Sequence, residues 1–230
     1  MKSIAVEMKN VCFSYKTPCK EEYFSNFRFP IKKVTSFQKL VLDNISLDIE
    51  ENKVTALLGR NGSGKTTLIK LIAGVRTPQS GSVSVFGKKP EEIQTELGVC
   101  LGYSLIYFRL TGRENLEYFA GLYGIANPEK RIKELSEMLE LDSFLDDLVE
   151  SYSWGMKMKL SVARSLINEP KFLILDEPTL GIDLHLAVAL RKFIRNLNCT
   201  VLLTTHYMEE AEELADNLCI IDQRKIHAER

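Results

Sequence analysis

Apolar and polar residues alternate at the start of the chain. Val11, Phe13 and Tyr15 are interleaved with Cys12 and Ser14, the period of a strand with one face on a core. From 16 to 39 the alternation breaks. Aromatics (Tyr23, Phe24, Phe27, Phe29, Phe37) mix there with Lys20, Arg28, Lys32, Lys33 and Lys39. This insertion reads as a long surface hairpin or as an element that meets lipid or a partner, since aromatic and basic side chains together suit a membrane surface. A second strand pair is expected across 41–58, ending in the apolar run 54–58. A glycine-rich loop, Gly59 to Gly64, follows. Leu68, Leu71 and Ile72 then fall at helical spacing, with Gly74 placed to cap that helix. Residues 77–81 are turn chemistry, and 82–86 alternate as a strand.

The period changes in the middle of the chain. From about 111 to 168 the pattern is helical. Thr111 and Glu114 form a capping box. Asn127 and Pro128 give an N-cap followed by proline at the first helical position. Ile132, Leu135, Met138 and Leu139 make that helix's apolar stripe. Short apolar runs return at 172–176, 200–205 and 218–222, each separated from the next by a helix. Such runs are strands covered on both faces, the mark of a buried parallel sheet.

Composition narrows the partners. Lys+Arg total 30 against 31 for Asp+Glu, so no basic excess points to nucleic acid. No apolar run approaches the roughly 20 residues of a membrane-spanning helix, and the first residues carry no signal-peptide h-region. The chain is expected in the cytosol unless a partner holds it at a membrane. Its five cysteines (Cys12, Cys19, Cys100, Cys199, Cys219) are scattered and unpaired in sequence, which reads as reduced thiols.

Four segments carry candidate chemistry. Gly59-Arg60-Asn61-Gly62-Ser63-Gly64-Lys65-Thr66 fits G-x-x-x-x-G-K-[ST] between a strand and a helix, the context that motif needs. Its glycines let successive backbone N–H groups point at phosphate oxygens, and the helix N-terminus adds partial positive charge. Lys65 would reach the β/γ-phosphates, the Thr66 hydroxyl would ligate Mg²⁺, and Thr67 follows in the same turn. Leu173–Pro178 delivers Asp176 and Glu177 at the end of a strand, where open α/β sheets place ligands. Asp176 would hold Mg²⁺, and Glu177 would polarise a water. The plainer reading of this pair is a solvated acidic turn. His206 ends the run 200–205 at the same sheet edge, whereas His185 and His227 read as bystanders. Tyr152-Ser153-Trp154-Gly155-Met156-Lys157 precedes a helix, and Ser153 alone reads as an N-cap.

Together these residues resemble the ABC ATPase family, and the match runs over essentially the whole chain. Gly59–Thr66 is similar to its Walker A loop and Leu173–Glu177 to its Walker B strand. Ser153, Trp154, Gly155 and Met156 stand where the family carries its signature. Leu180–Asp183 resembles its D-loop, His206 its switch histidine, and Tyr15 the aromatic that stacks on adenine. The resemblance implies an α/β P-loop NTPase fold: a nucleotide-binding core at about 1–98 and 168–230 with a mainly parallel sheet, an N-terminal antiparallel β subdomain, and a helical subdomain at about 99–167. It implies an ATPase that takes ATP and Mg²⁺ and closes head to tail with a second ATPase subunit, as a homodimer, around two nucleotides. It further implies a separate membrane permease that holds the protein at the cytoplasmic face. Tyr-Ser-x-Gly-Met and Leu110–Tyr123 are similar to exporter ATPases of the ABC-2 type.

Three departures stand out. Trp154 occupies the first signature glycine. Gly102 occupies the slot of a glutamine that ligates Mg²⁺, with Tyr103 and Ser104 beside it, Ser104 or water being the substitute. The insertion at 16–39 is the third. The competing reading, a soluble ABC ATPase acting on DNA or ribosomes, lacks its usual long coiled coil or second ATPase domain. A P-loop GTPase would need N-K-x-D, and Asn52-Lys53 is followed by Val54-Thr55.

Overall fold

The computed structural model describes the backbone of residues 3–23, 31–102 and 105–229, with the side chains of 19–23, 31–35 and 228–229 outside the described set. Two sheets organise the chain. The first joins β1 (Ile4–Tyr23), β2 (Ile31–Glu50) and β4 (Ser80–Val85) antiparallel, in the order β2-β1-β4. The second joins β3 (Val54–Leu58), β5 (Leu97–Leu101), β6 (Phe172–Asp176), β7 (Thr200–Thr205), β8 (Asn217–Asp222) and β9 (Lys225–Glu229), in the order β5-β6-β7-β3-β8-β9. Its strands are parallel except for β9, which turns back antiparallel on β8.

Several expectations are refined. The two strands expected across 41–58 do not pair with each other, because β2 and β3 part into different sheets. β1 and β2 pair from Ile4↔Glu50 out to Tyr23↔Ile31, so the insertion is a long hairpin arm. The lipid- or partner-contacting alternative turns on side chains of 19–35, which lie outside the described residues. β5 pairs with β6, so the core sheet reaches Leu101, past the boundary of 98 drawn from sequence.

The all-apolar strands follow from burial on both faces. Phe172 and Ile174 of β6 join a core shared with the first sheet. Leu173 and Leu175, pointing the other way, join a core shared with the helical block. Helix α1 (Lys65–Ile72) packs Leu68, Ile69, Leu71 and Ile72 into the first core. α2 (Gly112–Leu122), α3 (Pro128–Leu139), α4 (Trp154–Leu166), α5 (Leu184–Arg195) and α6 (Met208–Leu214) cover the other face. Fully burying each large aliphatic side chain is worth about 2 kcal/mol.

The helix ends form where the caps were expected. The Thr111 hydroxyl accepts from Glu114 N, and the Glu114 carboxylate accepts from Thr111 N, at 3.1 and 2.8 Å. Asn127 Oδ1 accepts from Lys130 N. Gly74 N–H donates to Leu71 O and Val75 N–H to Lys70 O, a Schellman ending for α1. One residue of the α3 stripe differs. Met138 is exposed, and Ser136 takes a buried position, donating to Asp142 at 2.5 Å. A short polar side chain is accommodated there because its hydroxyl finds a partner. Among the described residues, no helix is long and apolar enough to cross a membrane.

Candidate active site

Four parallel strands, β3, β6, β7 and β8, deliver their C-terminal ends to one edge of the second sheet, and the site is built there. The loop after β3 is fixed at both ends. Gly59 N–H donates to Thr205 O of β7 at 3.2 Å. A Cβ on Gly59 would lie 2.5 Å from Ile221 O, so only glycine lets β8 come this close. Gly64, the N-cap of α1, has φ 116, a conformation that glycine alone adopts without strain. Ser63 is buried, whereas Arg60, Asn61 and Gly62 are exposed on the outer side of the loop.

Lys65 opens α1 with only 6% of its surface exposed. Its ammonium donates to Gly59 O at 2.5 Å and Arg60 O at 3.5 Å, and pairs with Glu177 Oε1 at 3.1 Å. Glu177 Oε2 lies 2.7 Å from His206 Nδ1. One carboxylate thus bridges the lysine and the histidine. Next to it, Thr66 Oγ1 donates to Asp176 Oδ2 at 3.1 Å, and Thr204 Oγ1 donates to Asp176 Oδ1 at 2.5 Å. Glu177 has φ 51, which costs a non-glycine residue about 1 kcal/mol. Its N–H compensates by donating to both Thr204 O and Thr204 Oγ1, at 3.2 and 3.1 Å. Behind this row, the buried carboxylate of Glu210 accepts from Thr179 and Thr205 hydroxyls, both at 2.5 Å.

Of these groups, Lys65, Thr66, Asp176 and Glu177 line one cleft of about 550 Å³ that runs from Glu177 to Tyr15. The Tyr15 hydroxyl lies 3.4 Å from Thr67 Oγ1, and the Tyr15 ring meets Phe13 edge to face at 5.0 Å. Lys39, Arg60, Lys65 and Arg224 set four cations in its wall against two carboxylates, Asp176 and Glu177, a balance that suits a polyanion.

The signature residues lie elsewhere. Ser153, Trp154, Gly155 and Met156 line a second cleft of about 670 Å³ together with Asp183, and the two clefts have no lining residue in common. Ser153 caps α4, its hydroxyl accepting from Met156 N at 3.2 Å. Asp183 caps α5 by accepting from Leu186 N at 3.0 Å. At the rear, the Tyr152 hydroxyl donates to Phe144 O at 2.6 Å, and burial pushes that phenol up to about 12. Gly102 lies outside the first cleft, with its carbonyl accepting from Ser161. Ser104, the expected substitute for the glutamine, and its neighbour Tyr103 fall outside the described residues.

Sequence reasoning missed Thr204, Thr179 and Glu210. Thr204 left a faint signal, a hydroxyl at the end of an otherwise apolar run. Glu210 left none, because its partners come from two different segments, the turn after β6 and the end of β7.

Comparison with known proteins places the chain in a family. A sequence model of the ABC transporter family matches residues 42–180. The chain belongs to the ABC transporter family. It is an ATP-binding, ATP-hydrolysing domain of that family. It is 37% identical over 209 residues to the ABC transporter ATP-binding protein NatA of Bacillus subtilis, covering 86% of this chain and 84% of NatA. It is 38% identical over 197 residues to the Nod factor export ATP-binding protein I of Cupriavidus metallidurans, covering 81% of this chain and 65% of that protein. The fold is that of a dimeric ATP-binding cassette solved in a post-hydrolysis state with ADP and Pi, with a TM-score of 0.81, 24% identity and coverage of 98% and 97% of the two chains.

Proposed function

We propose that this ABC ATPase domain drives a separate membrane permease in the export direction, working as a head-to-tail dimer around two ATP molecules. The observation that carries this reading is the split between the two clefts. One holds the phosphate-binding loop, Asp176 and Glu177, with His206 behind Glu177; the other holds Ser153 and Asp183. A second copy would bring the second cleft of one chain over the first cleft of the other. The similarity to a Nod factor export protein supports the export direction.

In this reading Tyr15 stacks on the adenine. Gly59, Arg60, Asn61, Gly62, Ser63, Gly64 and Thr67 form the backbone cradle and first helical turn around the phosphates. Lys65 exchanges its carbonyl contacts and the Glu177 carboxylate for β- and γ-phosphate oxygens. Glu177, released from Lys65 but still beside His206, then accepts a proton from the attacking water. His206 orients Glu177 and faces the γ-phosphate. The Ser153 hydroxyl, the Trp154–Met156 turn and the α4 N-terminus close on that phosphate from the other subunit.

The residues fit Mg²⁺. Thr66 Oγ1 and Asp176 Oδ2 are hard oxygen donors 3.1 Å apart. Among the described residues no group of three His, Cys, Asp or Glu side chains forms an all-protein metal cage, as expected for an ion that takes its remaining ligands from phosphate and water. Mg²⁺ bound there would neutralise charge on the phosphates.

Glu177→Gln tests the reading. It should keep ATP binding and lower turnover at least about 100-fold. It should also run as an ATP-dependent dimer in size-exclusion chromatography. Parental turnover in this variant would remove Glu177 as the base.

A further inference from the structure

Trp154 is the only tryptophan of the chain, and it links two segments that belong to different parts of the fold. It opens α4, which leads the helical block back toward the sheet. Its indole N–H donates to Leu180 O at 3.0 Å across 26 residues of sequence. Leu180 lies in the turn after β6. The same Leu180 peptide region faces the catalytic side, because Leu180 N–H donates to Glu177 O at 3.1 Å. A short path therefore runs from the signature turn through Leu180 to the backbone of Glu177.

The surroundings are shaped to this contact. Gly181 has φ +75, and a Cβ there would sit 3.3 Å from the indole nitrogen. A Cβ on Gly155 would lie 2.4 Å from Leu186 Cδ2 of α5. Two glycines thus let α4, the turn and α5 approach closely, with the indole closing the gap. The ring is still 44% exposed, so it is not a core residue whose loss would unfold the domain.

We propose that Trp154 is a positioning residue whose indole N–H holds the 180–183 turn against the start of α4, so that Ser153 and Asp183 meet the second subunit as one surface while Glu177 is kept in register. This rests on the dimeric ATPase reading above. Without the donor, the exposed Leu180 carbonyl would bond to water. The fold would lose little, but the turn would sample positions that do not seal the site.

The test uses Trp154→Phe, which keeps an aromatic ring and removes the N–H, together with Gly181→Ala and the double variant. ATP affinity of the monomer and KM should stay within about twofold, whereas kcat should fall about tenfold, the size of one lost hydrogen bond. The double variant should lose no more than the worse single variant, because both break one contact. In parental protein carrying Glu177→Gln, ATP should shift the fluorescence of this single indole as the second subunit covers it. If Trp154→Phe retains kcat within about twofold of the parent, or lowers kcat only in step with its melting temperature, the positioning role is overturned. If the parental chain itself shows no ATPase activity, the functional reading falls and the Trp154 link falls with it.

Discussion

The two clefts differ in how much of their polar chemistry is already internal. In the first, Lys65, Thr66, Asp176, Glu177, Thr204 and His206 contact one another within a single chain. In the second, the key groups are spent on local helix ends: Ser153 caps α4 and Asp183 caps α5. Trp154, Leu180 and Leu184 remain exposed around it. In the proposed reading the first cleft binds the nucleotide by itself, and the second is a surface whose donors acquire a ligand only when another molecule brings one. A helix N-terminus capped by a short hydroxyl side chain still presents free N–H groups, so capping and a role in trans are compatible.

The sharpest way to break this comparison is at Lys65. Lys65→Ala removes a buried point charge from the phosphates and leaves Glu177 without its ion-pair partner. ATP affinity should fall about 100-fold, the scale of losing one charge-assisted contact in a dry site. Isothermal titration of the monomer measures it. An unchanged affinity would mean that the first cleft is not the phosphate site.

Ser153→Phe probes the other cleft. A bulky side chain at the α4 N-terminus should lower turnover about thirtyfold while leaving monomer affinity for ATP within about twofold, since the two clefts share no residue. Steady-state kinetics beside titration gives both values. Equal losses in both would mean that the clefts are coupled inside one chain.

The smallest effect concerns the rear wall of the second cleft. Tyr152→Phe deletes the hydrogen bond to Phe144 O and should cost about 1 kcal/mol at neutral pH. The Tyr152 pKa is raised in the folded protein, to about 12. Its stabilising contribution is therefore fully present below the unfolded tyrosine value near 10, and is lost as pH rises through 12. The stability difference between parent and variant should shrink across that interval. Denaturant melts from pH 7 to 12 follow it, and a constant difference would show that the phenol is not held neutral by burial.

Legibility in the sequence followed the range of each contact. The loop from Gly59 to Thr66, the caps at Thr111, Asn127 and Ser153, and the buried strands 172–176 and 200–205 depend on neighbouring residues, and each could be read locally. β5 was not seen. Gly98 interrupts its apolar run, and a Cβ there would lie 2.1 Å from Ser165 O of α4. The glycine that hides the strand in sequence is the one that lets α4 pack on it. β9 escaped because it is a short edge strand whose pairing is set by the turn at Gln223 and Arg224, both with positive φ. Met138 broke its stripe because Asp142 gives Ser136 a partner.

The sequence alone determined which chemistry is available. A glycine-rich loop between strand and helix, followed far downstream by two carboxylates at a strand end, specifies phosphate binding, because backbone amides and helix ends behave the same wherever they occur. Only the tertiary structure decided which groups meet. It put Glu177 between Lys65 and His206, set Thr204 under Asp176, and moved Ser153 away to a separate face beside Leu180. Those pairings depend on the order of strands in the sheet and on close approaches at Gly59, Gly98 and Gly181, which arise between segments distant in sequence and leave no periodic trace along the chain.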